Sequence, residues 1–420
     1  MKQKEKRKRL PEGGKRSSKR LLALDAARGL AVIGMFVQHF ALNQTNSFVS
    51  GNTMILFMLC SGISYTLMGS KESSGGEGEP PMGKDVAAGR DMAAGRDMPA
   101  GKALPEGKES PGKFRTRVLA RSVFIDLIGY FLIMLNGPFA VVLPAYAMLF
   151  LLALFLIRRS TKTLVLSAVL LFLLAPPLMM IGLSLFSGAA LLGDIAGGPL
   201  SALAWMPVFV TGMAIGRLNL KSTRTAGRLT ALGAGILIPS KLFAVFCLPG
   251  LRMAVENRML QAAYTEPDPY AVWPGNTQPV QWHLLFMDMP QGGSLFELLI
   301  GTGGALILLG LLLLLEKRLS ALYRPFACVG QCALTLYVLQ FLIAWGAAVA
   351  EIEVTSLDIG SLFLGDVMVA AAVTVTGCLL VKLPCAWLEG AIRRFTRLFE
   401  CYSSLVRQNQ ADVVLARTDD

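Results

Sequence analysis

Long apolar runs are the feature that most constrains how this chain can fold. Each run is bounded by charges, glycine or proline and is long enough for one α-helix to cross a hydrocarbon core about 30 Å thick. The composition agrees, because 54% of the 420 residues are hydrophobic and only 16% are charged. The sequence therefore predicts an all-α, polytopic protein of the cell membrane with about ten transmembrane helices. The ten predicted spans are 23–42, 52–69, 117–135, 139–157, 163–187, 197–216, 229–249, 294–315, 326–349 and 362–383.

The basic residues predict which side of the membrane each loop occupies. If the N-terminus is cytoplasmic, 36 of the 40 Lys and Arg residues fall in inner segments, and only Arg252 and Arg258 fall in outer loops. Short cytoplasmic loops collect Lys and Arg, so both termini are predicted to be cytoplasmic. The net charge of +12 is then a consequence of topology. Nucleic-acid binding is not needed to explain it, although the basic start could contact membrane lipid headgroups.

Hydrophilic segments divide the chain into five parts. The segment after the second helix contains a degenerate Gly-, Ala- and Pro-rich repeat of charged residues and is predicted to be a disordered linker, either passive or used for docking. A second hydrophilic segment, 250–293, has aromatic residues and prolines suited to an ordered outer lid. The predicted parts are a basic cytoplasmic tail 1–22, helices 1 and 2 in 23–69, the linker 70–116, helices 3 to 10 in 117–383, and a cytoplasmic tail 384–420.

Helix 1 carries ionisable residues inside an apolar run. Eleven helical steps separate Arg28 from His39, which places both side chains on one stripe about 16 Å apart along the axis. Asp25 precedes Arg28 by three residues and can pair with it. Ionisable groups inside a span are costly and usually face a bundle interior or a watery cavity, so this column is a functional candidate. The alternative is a structural Asp25–Arg28 ion pair with His39 at the headgroup boundary.

Two motifs here resemble the membrane acyltransferase superfamily, which includes the acyltransferase-3 family and the heparan-alpha-glucosaminide N-acetyltransferase type. LDAARGLAVIGMFVQHF in helix 1 matches the pattern of Arg, ten residues and His with Arg28 and His39. LFMLCSGISYTL in helix 2 is similar to the stretch that follows, which ends in Ser-Gly at Ser61 and Gly62. Later segments, including PVFVTGMAIGRL and VGQCALTLYVLQFLI, look like the uncharacterised YeiB-type relatives. The chain has Gln340 where the acyltransferase-3 family often has His.

The resemblance implies a membrane acyltransferase. It would move an acyl group, with acetyl expected, from cytoplasmic acyl-CoA (acetyl-CoA) to an extracytoplasmic glycan or lipid-linked acceptor of the cell envelope. His39 would be the general base on the acceptor or a transient acyl carrier. Arg28 would meet a phosphate or the thioester carbonyl, and Asp25 would hold its orientation.

Six further polar residues are candidates for substrate binding. Arg121 and Asp126 lie on diverging faces of helix 3, so an ion pair to another helix competes with a substrate contact for Arg121. Glu297 opens helix 8, where an acid also suits a helix N-terminus, and Tyr337 and Gln340 share a face of helix 9. No metal site is predicted, and Lys241 and Asp366 are expected to pair. The six candidates are Ser61, Arg121, His283, Glu297, Tyr337 and Gln340.

A second function fits the same residues. A transporter or flippase could use the column of Asp25, Arg28 and His39 to bind and move a substrate without forming a covalent bond. Broken helices or inverted repeats would favour this alternative, and a structural or regulatory membrane protein is a third. A homo-oligomer is compatible with each of them.

Overall fold

A computed structural model describes residues 21–73, 111–186, 189–263, 280, 282–352, 365–382 and 387–418. Over these residues the chain is helical, with two short 3-10 turns at Ser47–Val49 and Trp282–Phe286. The predictions for residues 1–20, for the linker from 74 to 110 and for 264–279 of the outer segment lie outside the described residues. The α-helices are α1 (Leu22–Phe40), α2 (Asn52–Ser73), α3 (Pro111–Met134), α4 (Leu143–Ala153), α5 (Thr161–Phe186), α6 (Ala190–Ala196), α7 (Ala202–Ile215), α8 (Thr223–Phe246), α9 (Leu248–Ala263), α10 (Leu295–Leu315), α11 (Ser320–Gln331), α12 (Ala333–Val349), α13 (Gly365–Lys382) and α14 (Trp387–Thr418).

Several helices are long and apolar enough to span a membrane. Five segments of the described chain qualify: α5, α8, α10, α13 and the stretch Ser47–Gly69, which includes most of α2. A sixth is obtained if α11 and α12, which meet at a bend of 66°, count as one broken span. These helices indicate a membrane protein and confirm the coarse part of the predicted fold class. The count of ten spans and the sides of the termini stay predictions.

Two of the predicted spans form shorter helices than expected. The span predicted at 139–157 contains α4, which has 11 residues, and the span predicted at 197–216 contains α7, which has 14. At 1.5 Å per residue, α4 is about 16 Å long, roughly half of a hydrocarbon core. Pro144 in its first turn and the left-handed Asn136 (φ 51°) before it account for the late start of α4.

Burial separates inner from peripheral helices. In their apolar windows, α2 and α10 bury 61% and 56% of their residues, whereas α8 and α13 bury 22% and 17%. The exposed side chains on α8 are large and apolar, including Leu232, Leu242 and Phe246. A surface of this kind is unfavourable in water and is the normal face of a helix toward lipid. α1, α2, α7 and α10 therefore form the interior against which the candidate site is built.

Glycines set the closest helix contacts in this interior. A Cβ atom on Gly29 of α1 would lie 1.8 Å from the carbonyl oxygen of Phe326, and one on Gly330 of α11 would lie 2.0 Å from that of Asp25. The two backbones therefore touch directly, as small residues allow in membrane helix pairs. A similar crossing joins α2 to α7 at Gly62 and Gly212. The first crossing fixes Asp25 and Arg28 against α11.

The predicted cytoplasmic tail 384–420 contains a long helix. α14 has 32 residues, and Leu388, Ile392, Phe395 and Phe399 recur on it at helical spacing. Phe395 packs on Phe124 of α3, with ring centroids 5.5 Å apart. A search for continuous apolar runs cannot find such an amphipathic helix, because its other faces are charged. The predicted outer segment 250–293 likewise contains a helix, α9.

Replacing Gly29 by Ala is expected to destabilise the protein by about 1–3 kcal/mol, because the added methyl group overlaps a backbone oxygen and α1 must move away from α11. The matched control is Gly304→Ala on α10, where a Cβ atom meets nothing within 4 Å. Thermal unfolding of the detergent-purified variants measures the difference. Equal unfolding temperatures for the two variants would contradict the close crossing.

Candidate functional site

One face of α1 carries the charged residues that the sequence singled out. Arg28 Nη1 donates to Asp25 Oδ1 at 3.2 Å, which is the ion pair expected from their spacing. Arg28 Nη2 also donates to the Ser64 hydroxyl of α2 at 2.5 Å. Because the side chains of Arg28 and Asp25 are only 19% and 13% exposed, these contacts compensate a charge largely removed from solvent.

Arg28 lines a cavity of about 280 Å³, the central cavity, between α1, α2, α3, α4, α12 and α14. Much of its wall is apolar, including Met35, Met54 and Phe57. Its polar groups are Arg28, Ser61, Ser64, Tyr65, Arg121, Tyr146, Gln331, Tyr337 and Glu389. The lining contains two guanidiniums and one carboxylate, and Asp25 beside Arg28 supplies a second negative charge. The donor forks of the two guanidiniums, and not a net charge, are therefore what can bind an anionic ligand group.

The carboxylate in this cavity caps a helix. Glu389 Oε1 accepts hydrogen bonds from the backbone N–H groups of Leu334 (2.9 Å) and Thr335 (3.1 Å), and Oε2 accepts from the Thr335 hydroxyl. Leu334 and Thr335 lie in the first turn of α12, where N–H groups have no partner within the helix. Glu389 of α14 therefore supplies the cap that the break between α11 and α12 requires, and its negative charge suits the positive end of the helix dipole.

His39 lines a second cavity of about 280 Å³, the His39 cavity. Its imidazole stacks on Phe139, with centroids 4.0 Å apart and planes at 12°, and meets the edge of Phe341. Gln340 of α12 lies beside it and is 1% exposed. His39 and Gln340 are close enough for a side-chain hydrogen bond, but His39 Nδ1 and Gln340 Oε1 lack a partner of good geometry among the described residues. Buried polar atoms are nearly always paired, so a polar ligand group in this cavity can bind these two side chains.

The two cavities adjoin each other. Met35, Met54, Val142 and Tyr337 line both, so these four side chains form the wall between them. The Tyr337 hydroxyl accepts a hydrogen bond from Val142 N at 3.2 Å, which joins α12 to the residue before α4. Arg28, Met35 and His39 follow one another along α1 on this side. The polar column predicted from the sequence therefore corresponds to two cavities in series.

The structure brings together most of the candidate residues. Arg28, Ser61 and Arg121 line the central cavity, Gln340 and His39 line the second one, and Tyr337 lines both. Asp25 supports Arg28 through their ion pair. Arg121 forms no ion pair with another described helix, and its Nε has no hydrogen-bond partner there.

Glu297 and His283 lie apart from this group. The Glu297 carboxylate accepts hydrogen bonds from the backbone N–H groups of Gln291 and Gly293 (2.7 Å for the latter), so it holds the turn before α10. His283 lies in the 3-10 turn that packs on α9 and is not part of the lining of either cavity. For both residues a substrate contact stays a prediction.

The expected pair of Lys241 and Asp366 is wrong. Lys241 Nζ donates to Asp288 Oδ2 at 2.9 Å, whereas Asp366 Oδ2 accepts from Asn46 Nδ2 at 3.4 Å. The sequence places Lys241 and Asp366 on the same predicted outer half of the bundle, but only the turn before α10 brings a carboxylate to Lys241.

Five polar residues of the central cavity were missed by the sequence reasoning, among them Ser64, Tyr146 and Glu389. Ser64 lies three residues after Ser61 on α2, so the helical period could have identified it. Tyr146 lies close to Ser61, Arg28 and Arg121. It belongs to VLPAYAMLFLLALFL, which looks like the YeiB-type relatives, but that resemblance assigns no role to the tyrosine. Glu389 falls in the segment predicted to be a tail, where no local pattern points to a cavity.

Comparison with models of known protein families gives no match, and comparison with curated proteins gives none at the level that counts as significant.

Glu389→Gln is expected to lower stability by about 1–2 kcal/mol, because the amide keeps one acceptor oxygen but loses the charge and one hydrogen bond at the start of α12. Glu256→Gln, an exposed charge-matched change on α9, is the control. Chemical or thermal unfolding in detergent measures both. A Glu389 variant as stable as the control would show that the cap contributes nothing.

Proposed function

We propose that this protein is an integral membrane acyltransferase that moves an acyl group from acyl-CoA to an acceptor bound on the other side of a thin protein wall. The observation that carries the proposal is the pair of adjoining cavities along α1, one lined by the guanidiniums of Arg28 and Arg121 and the other containing His39. A donor whose anionic end reaches Arg121 at the edge of the first cavity suits that cavity, and an acceptor with a hydroxyl or amine suits the second. The resemblance of helices 1 and 2 to membrane acyltransferases supports the same assignment.

In the proposed reaction His39 acts as general base. The imidazole takes the proton of the acceptor hydroxyl or amine while the acceptor atom forms a bond to the thioester carbonyl carbon. The resulting tetrahedral intermediate collapses with cleavage of the carbon–sulfur bond, and the imidazolium returns the proton to the departing CoA thiolate. The products are the acylated acceptor and CoA with a free thiol, and His39 ends neutral. The stacking of His39 on Phe139 fixes the ring plane for this transfer.

The surrounding residues have positioning roles in this proposal. Gln340 presents an amide beside His39 and can hydrogen bond to the acceptor or to the carbonyl oxygen. Arg28, oriented by Asp25 and Ser64, can meet the thioester carbonyl or a donor phosphate through its fork of donors. The acceptor class we propose is an extracytoplasmic glycan or lipid-linked molecule of the cell envelope, and the cell membrane is the proposed location.

A transporter or flippase is the second candidate, and a specific observation favours it. α11 and α12 form a helix pair broken at 66°, and the start of α12 lies beside the central cavity. Broken helices whose N-termini face a binding site are a recurrent feature of secondary transporters. In this protein Glu389 already occupies the N-H groups of that terminus, which leaves fewer of them for a transported anion.

The deciding experiment is acetyl transfer by the purified protein. Wild type and His39→Gln are incubated with radiolabelled acetyl-CoA and cell-envelope glycans, and both CoA release and labelled glycan are measured. Loss of the general base is expected to lower transfer by about 10²–10⁴-fold. The variant should keep the donor affinity and unfolding temperature of the wild type, since Arg28 and its partners are unchanged.

The two functions predict different outcomes in this assay. Turnover by the wild type that disappears in His39→Gln supports acyl transfer. If the wild type binds acetyl-CoA without turnover, or transports an added anion into vesicles without covalent change, the transporter is favoured. Equal transfer by the two proteins would remove His39 from the mechanism.

The proposed topology places both termini in the cytoplasm. Cysteines introduced at Gln44, in the turn after α1, and at Lys221, before α8, replace exposed side chains on opposite predicted sides. With a membrane-impermeant thiol reagent on intact cells, Gln44→Cys should be labelled above the wild-type background and Lys221→Cys should react only after lysis. The reverse pattern would invert the topology.

A further inference from the structure

A third cavity adjoins the central cavity. This α3–α14 groove has a volume of about 270 Å³ and lies between the first half of α3 and the first half of α14. Arg121 and Ile392 line both the groove and the central cavity, so the two spaces meet at these residues. The groove is lined by Arg117, Arg121, Ile392, Arg393, Thr396, Arg397 and Glu400.

Most of the positive charge in the groove has no negative partner. Arg117 Nε pairs with Glu400 Oε1 at 2.8 Å. Arg121, Arg393 and Arg397 form no ion pair with a described residue, and Arg393 and Arg397 are exposed. Arg393 and Arg397 are one helical turn apart on α14 and line the groove together with Arg121, so the three guanidiniums can bind one anion jointly. Planar guanidinium forks match the oxygens of phosphate especially well.

The position of the groove limits what such an anion can be attached to. A ligand whose phosphate lies among the arginines can extend past Arg121 and Ile392 into the central cavity, whose wall is largely apolar. An uncharged or apolar arm fits that space, whereas a compact polyanion would leave it unfilled. The chemistry is therefore a phosphate group carrying a long neutral arm.

We propose that the α3–α14 groove binds the phosphate end of such a ligand through Arg393 and Arg397, and that α14 is thereby part of the binding site. Two molecules present this chemistry at a membrane: a phosphorylated pantetheine carrier such as CoA, and an anionic phospholipid. The choice of CoA rests on the proposed function, because an acyl donor must reach the central cavity. The groove itself is independent of that choice.

The test uses the full-length protein in nanodiscs of phosphatidylcholine. CoA, which carries phosphates, and pantetheine, which has the same arm without them, are compared by calorimetry. CoA is expected to bind at least about tenfold more tightly, and Arg393→Gln and Arg397→Gln should each remove most of this difference. Arg394→Gln is the matched control, because Arg394 is an exposed neighbour on the same helix that does not line the groove.

A second arm separates the two sources of phosphate. Nanodiscs containing phosphatidylglycerol are analysed for the lipid retained after extraction with detergent. If CoA affinity is the same in all variants but retained phosphatidylglycerol is lost in Arg393→Gln and Arg397→Gln and kept in Arg394→Gln, the ligand is a lipid headgroup. If neither CoA nor phosphatidylglycerol distinguishes these variants from Arg394→Gln, the groove is not a phosphate site and the proposal is overturned.

The results of this binding test and of the acyl-transfer assay can contradict the two proposals independently of each other. If acetyl transfer depends on His39 but not on Arg393 or Arg397, and no lipid is retained, the proposed function is supported. The groove is then not the site that binds the donor phosphate. Phosphate-dependent CoA binding without any transfer would establish the groove and remove the proposed function.

Discussion

The largely buried guanidinium of Arg28, whose side chain is 19% exposed, is the constraint on which the rest of the site depends. A charge removed from solvent in an apolar helix bundle is tolerated only if its hydrogen bonds are made, and breaking such a pair typically costs about 3–5 kcal/mol. Asp25 and Ser64 make them, which ties α1 to α2 at one depth in the bundle. The direct contact of Gly29 with α11 fixes the same turn from the other side. Arg28 therefore faces the central cavity in a single orientation.

The sequence predicts features that depend on neighbours along the chain. Apolar runs in the sequence predict the positions of α1, α2, α5, α8, α10 and α13. Most ends of these helices lie within a few residues of the predicted ends, because a helix across lipid must satisfy its own backbone hydrogen bonds. The Asp25–Arg28 pair follows from a spacing of three residues. The lengths of α4 and α7 do not follow from hydropathy, since a core helix surrounded by other helices is as apolar as a spanning one. The amphipathic α14 does not follow either, because half of its surface is charged.

The candidate site also contains some features that depend on sequence neighbours and others that depend on the packing of distant helices. Arg28 and His39 could be placed on one stripe from the helical period, and Tyr337 and Gln340 on another, because each pair belongs to a single helix. The meeting of His39, Tyr337 and Gln340 around one cavity, with Phe139 stacked on His39, depends on how α1, α12 and the segment before α4 pack. Glu389 is the clearest case, since residues more than 50 positions apart meet at the first turn of α12. No local pattern encodes a cap supplied from another helix.

The wall between the two cavities is as important to the proposed chemistry as the cavities themselves. If Met35, Met54, Val142 and Tyr337 were absent, the charged central cavity and the His39 cavity would form one continuous polar space through much of the bundle. Water would then follow the polar groups, and a thioester would be exposed to hydrolysis before the acceptor arrived. The methionines can change rotamer without breaking hydrogen bonds, whereas Tyr337 is held by Val142 N. An acyl group can therefore displace the methionine side chains while Tyr337 keeps α12 in register with the start of α4.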